Sequence, residues 1–292
     1  MAVYNSNGDV VLTCFDSSGN TLGVVYDSVG NIISDTGTPL LRVATYNVGQ
    51  FYIGNSNPIP TASKSTYSAL QTSIFNNIKP DICLMQEATR LFCEDGTLAE
   101  TFLSPWFNEF HITRGDIGYQ AHMMASKNIA VEDYTEHSFT NAVGNYPGYE
   151  TGYITFNDKR IFVCNTHIST NQPYQEAQCA EMLQLVADKE SFILCGDFNT
   201  VIFDKTEEDW TNCIKPFADA GYNLANCGAF GVMPTYWATS SPNPSDGYTP
   251  ATDFIITSSD ISILYASTET TKLSDGLNDK IDHVPLFAVL SV

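Results

Sequence analysis

The segment Phe192-Ile-Leu-Cys-Gly-Asp-Phe-Asn-Thr200 leaves an apolar run at a glycine and then places a carboxylate and a carboxamide two residues apart. In an extended backbone residues i and i+2 face the same way, so Asp197 and Asn199 would share one target. Taken alone, a tight turn built from Gly, Asp and Asn explains the stretch equally well. The pattern recurs, however. Asn47 follows Val43-Ala-Thr-Tyr46, Glu87 follows Ile82-Cys-Leu-Met-Gln86, and His167 follows Phe162-Val-Cys-Asn-Thr166. Asp253 precedes Phe254-Ile-Ile256, and Asp282-His283 precedes Val284-Pro-Leu-Phe287. If these strand ends meet at one edge, they bring amides, histidines and carboxylates into one cleft. Hard oxygen ligands suit Mg²⁺ or Mn²⁺, which in turn binds phosphate, while histidines and a carboxylate pass protons during hydrolysis. Each residue taken singly reads as a turn, cap or core residue. Burying so many carboxylates together is costly unless a cation neutralises them, which favours a shared site.

The elements that must carry these residues follow from periodicity. Leu41-Arg-Val-Ala-Thr-Tyr46 alternates as a strand, and residues 64–78 place Tyr67, Leu70, Ile74 and Ile78 at helical spacing before Pro80 ends the helix. Strands are expected over 81–85, 119–125, 152–156 and 160–164, then a helix over 173–189 with Cys179, Met182, Leu183 and Val186 on one face. After the strand that opens at Phe192, Thr206 and Asp209 predict a capping box for a short helix that Pro216 breaks or kinks. Strands over 254–257, 261–265 and 286–290 close the chain. No GxGxxG or Walker pattern occurs, and the mixture of elements predicts an α/β (α+β) sandwich of two sheets covered by helices.

Residues 1–40 differ. Tyr4-Asn-Ser-Asn-Gly-Asp-Val-Val11, Phe15-Asp-Ser-Ser-Gly-Asn-Thr-Leu22 and Tyr26-Asp-Ser-Val-Gly-Asn-Ile-Ile33 repeat every 11 residues, each with an aromatic, a polar turn about Gly8, Gly19 or Gly30, and an apolar pair. This is the pattern of short strands joined by tight turns, and three such units bury too little to stand alone. An extension or assembly contact is expected, docked on residues 41–292 or on another chain.

The chain carries 13 basic and 33 acidic residues among 292, for a net charge of −20, which disfavours simple adhesion to nucleic acid or anionic membrane. Bound divalent cations reverse the local sign of the field, so an enzyme acting on phosphates stays open. Cys83, Cys164 and Cys195 lie in apolar runs and read as small buried hydrophobes; Cys213 and Cys227 flank a loop and are expected as free thiols, though an oxidising compartment would let them pair. The N-terminus lacks a basic start and an apolar run, and no segment reaches membrane-spanning length, so a cytoplasmic location is expected.

Together, Thr45-Tyr-Asn-Val48, Gln86-Glu87, Asn165-Thr-His167, Gly196-Asp-Phe-Asn199, Thr252-Asp-Phe-Ile255 and Asp282-His-Val-Pro285 resemble, in order and approximate spacing, the endonuclease/exonuclease/phosphatase superfamily. The resemblance spans residues 41–292 and implies a four-layered α/β sandwich, two packed mixed sheets flanked by helices, that hydrolyses a phosphoester with Mg²⁺ or Mn²⁺. By that resemblance Glu87 is the main metal ligand, helped by Asn47 and Asp282. Asp197 orients or deprotonates the attacking water, Asn199 holds the scissile phosphate or the second metal position, and His283, held by Asp253, contacts the phosphate. His167 donates a proton or stabilises the transition state. Ile281 stands where the family commonly has a serine, and Gly118-Tyr-Gln-Ala121 lacks the acid that some nucleases place opposite the first histidine; Tyr119 could contact phosphate instead.

Three functions follow. The first is a phosphodiesterase on DNA or RNA, favoured by the Gly196-to-Asn199 motif. The second is a phosphatase or phosphodiesterase for inositol phosphates, sphingomyelin or another small phosphoester, favoured by the shortage of Lys and Arg. The third is an inactive scaffold for binding or assembly, favoured only by the N-terminal repeats.

Overall fold

The computed structural model describes residues 3–4, 10–15, 21–26, 32–34, 39–52, 61–92, 96–113, 121–143, 146–202, 212–236, 251–269 and 283–292. Near the N-terminus, β1 (Val3–Tyr4), β2 (Val10–Phe15), β3 (Thr21–Tyr26) and β4 (Ile32–Ser34) form an antiparallel sheet of their own in sequential order. Tyr4, Phe15 and Tyr26 each close a strand, so the 11-residue period of the sequence is the period of strand plus connection. The repeat glycines at the expected turns lie outside the described residues.

The chain continues through β5 (Leu41–Asn47), α1 (Thr61–Ile78), β6 (Ile82–Gln86), the short pair β7 (Leu91–Phe92) and β8 (Thr97–Leu98), α2 (Ala99–Leu103), β9 (Glu109–Ile112) and β10 (His122–Ser126). Then come β11 (Glu132–Val143), β12 (Tyr146–Phe156), β13 (Lys159–His167), α3 (Gln172–Val186), β14 (Phe192–Ile202) and α4 (Lys215–Asp219). The last strands are β15 (Asn223–Leu224), β16 (Ala251–Thr257), β17 (Ser262–Thr268) and β18 (Leu286–Ser291).

Two six-stranded mixed sheets result, ordered β17-β18-β5-β6-β10-β9 and β11-β12-β13-β14-β16-β15. Each is built on one parallel pair, β5 with β6 and β13 with β14, whose crossover is a helix, α1 or α3. Parallel neighbours need such a long crossover, whereas the flanking antiparallel strands do not.

Side-chain alternation sorts the core into layers. Ala44, Tyr46, Cys83, Met85, Met123 and Ala125 pack with Tyr67, Leu70, Ile74, Phe75 and Ile78 of α1. Phe162, Cys164, Phe192, Leu194, Phe254 and Ile256 pack with Cys179, Met182 and Val186 of α3. The residues between them in sequence, Val43, Ile82, Leu84, Met124, Val163, Ile193, Cys195 and Ile255, face the opposite sheet. Period-2 strands thus bury both faces, and the order is helix, sheet, sheet, helix, the four-layered sandwich expected.

Local outcomes differ in two places. Pro216 lies in the first turn of α4, where its missing N–H costs nothing, so it starts a helix rather than breaking one; the Thr206–Asp209 cap lies outside the described residues. The 12-residue strand β11 was not legible, because its run Glu132-Asp-Tyr-Thr-Glu-His is too polar to read as a strand of the core. Cys83, Cys164, Cys195, Cys213 and Cys227 are all buried thiols outside any disulfide, as expected; Cys213 neighbours Cys179 of α3. Among the described residues no helix is long and apolar enough to cross a membrane.

Candidate active site

The inward-facing residues of each strand change from apolar to polar at one edge of the sandwich. On the first sheet the sequences Val43-x-Thr45-x-Asn47, Ile82-x-Leu84-x-Gln86 and Met124-x-His122 end in a single row, since Asn47 registers with Gln86 and Gln86 with His122. On the second sheet Val163-x-Asn165-x-His167, Ile193-x-Cys195-x-Asp197 and Ile255-x-Asp253 end in another, since His167 registers with Asp197 and Asp197 with Asp253. Parallel strands contribute their C-terminal ends and antiparallel strands their N-terminal ends, which is why the polar residues straddle apolar runs on different sides in the sequence. The rows meet across the gap.

Asp197 is the meeting point. Its Oδ2 accepts from Asn47 Nδ2 at 3.1 Å and lies 3.5 Å from His167 Nε2 and 3.4 Å from His283 Nε2, while Oδ1 accepts from the Asn199 backbone N–H at 2.8 Å. His283 Nδ1 lies 2.9 Å from Asp253 Oδ2, so one imidazole spans two carboxylates. Thr252 Oγ1 donates to the same Asp253 oxygen at 3.0 Å, and the Asp253 backbone N–H donates to Thr235 Oγ1 at 3.1 Å. Tyr236 bridges His283 backbone to backbone and sets its ring 5.1 Å from the imidazole. Burial pushes the Asp253 carboxyl above the usual range, with His283 opposing the shift and Asp197 adding to it. Its Oδ1 has no partner among the described residues.

Glu87 reaches the site by a backbone irregularity. One residue past Gln86, a regular strand would aim it at the helix layer; instead its φ of 53° turns it, and its Oε1 accepts from Asn47 Nδ2 at 3.2 Å. One amide group therefore serves two carboxylates, while Asn47 Oδ1 accepts from the Gly49 N–H at 3.1 Å. Asn199 also departs from the expected extension. Its φ is 48°, the ladder between β14 and β16 is irregular after Asp197, and its Nδ2 donates to Ile168 O at 2.8 Å. Gly196 serves the neighbouring strand rather than a ligand: a Cβ there would lie 2.1 Å from Thr166 O, on the face opposite Asp197.

Thus Asn47, Glu87, His167, Asp197, Asp253 and His283 converge, and Asn199 joins them through its backbone N–H while its side-chain amide donates to Ile168; Asp282 and Tyr119 lie outside the described residues. Glu87 and Asp197 present desolvated carboxylate oxygens on either side of the Asn47 amide nitrogen, and hard oxygen donors of this kind fit a divalent cation. Asp197, Asp253 and His283 also lie close enough to share one ion. The imidazole already bridges those two carboxylates, so hydrogen bonding accounts for that cluster without a metal.

The sequence reading missed several supporting residues. Asn165 Nδ2 donates to Met85 O and Glu150 Oε1, each at 2.8 Å, and its Oδ1 accepts from Gln86 Nε2 at 2.6 Å, bolting the sheets together behind the site. Glu150 also accepts from the Tyr134 hydroxyl at 2.9 Å, and burial raises its carboxyl to about 8. His122 was missed as well, although its alternation with Met124 marks it as inward-facing; burial lowers its imidazole to about 3, with His167 adding to the shift.

No protein-family model and no curated protein matches the chain. Solved structures do. An endonuclease/exonuclease/phosphatase from Bacteroides vulgatus aligns with a TM-score of 0.64 at 17% identity, over 87% of this chain and 100% of that one. A humanized D. rerio TDP2 gives 0.62 at 14%, over 87% and 99%, and the human Nocturnin catalytic domain with bound sulfate gives 0.60 at 17%, over 87% and 95%. The layered architecture and these likenesses together establish that the chain has the endonuclease/exonuclease/phosphatase superfamily fold.

Proposed function

We propose that this chain is a divalent-metal-dependent phosphodiesterase that cleaves DNA or RNA. The observation that carries the proposal is the convergence of Asn47, His167 and His283 on one oxygen of Asp197. Asp197 orients the attacking water, and its proton passes to the Asp197–His283 pair, with Asp253 holding the imidazole in place. His167, on the far side of Asp197, donates to the leaving oxygen or to the charge that develops there. Glu87 and Asn47, joined by Asp282, would hold a Mg²⁺ or Mn²⁺ ion, which would supply positive charge against the phosphate. Asn199 and Tyr119 are assigned to the phosphate. The nucleic-acid assignment is supported by D. rerio TDP2, a protein of this fold whose structure is complexed with a single-strand DNA product. A second reading, a small phosphoester such as an inositol phosphate or sphingomyelin, is favoured by the net charge of −20. Residues 1–40 are assigned to docking, on this chain or another, and residues 41–292 to catalysis.

The experiment is a substrate panel with a metal titration: plasmid DNA, RNA, bis(p-nitrophenyl) phosphate, inositol phosphates and sphingomyelin, each with Mg²⁺, Mn²⁺ or chelator. Nucleic-acid cleavage that needs metal and drops about 100-fold or more in His167→Ala and Asp197→Ala is expected. Activity surviving both changes sinks the site. Product from inositol phosphates or sphingomyelin alone selects the second reading.

A further inference from the structure

His122 belongs to neither the motifs nor the charge cluster, yet it occupies the site's front row. It registers with Gln86, which registers with Asn47, and residues paired across neighbouring strands lie on the same face of the sheet. Both row-mates reach the opposite sheet, Asn47 to Asp197 and Gln86 to Asn165. His122 must aim the same way. On the facing strand β13, His167 lies two residues beyond Asn165 and thus on the same face, and the two imidazoles are close enough to influence each other electrostatically. His122 is only 2% exposed, and its Nε2 has no hydrogen-bond partner among the described residues. A desolvated ring nitrogen left without a partner costs stability that an apolar ring would not. His122 directly follows Gly118-Tyr-Gln-Ala121, the segment that lacks the acid some nucleases place opposite the first histidine.

We infer that His122 contacts the substrate, its Nε2–H donating to a phosphoryl oxygen held between His122 and His167; this rests on the phosphoesterase reading above. A neutral imidazole suits that task, because it donates a hydrogen bond without adding a charge that would repel the metal. It also leaves the neighbouring His167 free to carry the proton.

The test uses the full chain with Mg²⁺ and inorganic phosphate as the probe, titrated calorimetrically against wild type, His122→Phe and His122→Gln. Phe keeps a ring of similar shape without a donor, and Gln can place an amide N–H near the Nε2 position. Phosphate affinity is expected to fall about tenfold or more in His122→Phe and to return to within about threefold of wild type in His122→Gln. The Tm of His122→Phe should match or exceed that of wild type, a result that a purely structural histidine would not give. Equal phosphate affinity in wild type and His122→Phe overturns this inference alone. Failure of the wild type to bind phosphate with metal present overturns the phosphoesterase reading with it.

Discussion

Asn47 Nδ2 donates to Asp197 Oδ2 at 3.1 Å across a sequence separation of 150 residues, joining the two sheets at the site. The same nitrogen donates to Glu87 Oε1 at 3.2 Å. Two desolvated carboxylates are thereby held near each other by one neutral group, an arrangement that a cation improves and that loses a shared donor if the amide is removed.

Asn47→Ala is therefore expected to raise the half-saturating Mg²⁺ concentration about 10- to 100-fold, the range seen when residues that organise a metal site are lost. Its melting temperature should fall more in chelator than in saturating Mg²⁺, because the ion replaces the missing donor between the carboxylates. An unchanged metal titration removes Asn47 from the metal site.

Asp253 orients a neighbour. It holds His283 Nδ1 at 2.9 Å while the other ring nitrogen faces Asp197. Asp253→Asn keeps the shape but offers the ring an amide instead of a carboxylate. Loss of the negative charge that stabilises a protonated imidazole should lower kcat about 100-fold or more. KM should change little, and the fold should not suffer, since a buried charged group becomes neutral. A variant with near-normal kcat would show that His283 does not need its carboxylate.

Much of this was legible in the sequence, for a physical reason. Alternating strands buried on both faces must follow apolar inward residues with something at the sheet edge, and Asn47, His167 and Asp197 stand out because each ends such a series. His122 did not, because it begins its strand, ahead of the apolar residue Met124 with which it alternates. The inter-sheet bolt of Gln86, Asn165 and Glu150 was also hidden. Its partners lie 79 and 15 residues apart, and nothing in local pattern reports such pairing. Glu87 was found by its place at a strand's end and not by period, since regular alternation would have pointed it outward.

Glu150 gives a pH test. Its carboxyl ordinarily titrates near 4.5 and is raised to about 8 in the folded chain, chiefly by burial. Between those values the folded state holds a proton that the unfolded state has released, so stability falls as pH rises through the window. The full slope is about 1.4 kcal/mol per pH unit, and the penalty is complete above pH 8. Glu150→Gln cannot ionise and retains an oxygen for Asn165. Denaturant titrations from pH 5 to 9 should give a variant-minus-wild-type stability difference that climbs with pH by a few kcal/mol in total. A flat difference would mean that the carboxyl is not held neutral.

Gly196 separates two roles for a glycine beside a catalytic acid. A glycine at this point could serve simply as room for the backbone to approach a phosphate. In the folded chain its missing Cβ instead makes room for Thr166, whose carbonyl oxygen would lie 2.1 Å and whose Cγ2 would lie 2.7 Å from the added carbon. The clash is chiefly with backbone of the parallel neighbour β13, which cannot rotate away as a flexible side-chain tip can. Gly196→Ala must therefore push apart β13 and β14 where they carry His167 and Asp197. We expect a loss of about 2–4 kcal/mol, read as a fall in Tm of roughly 5–15 °C. If the glycine served only phosphate approach, the Tm would stay within about 1 °C of wild type while phosphate affinity fell. The two outcomes are cleanly distinguished by melting the metal-free and phosphate-free chain, where only the packing cost remains.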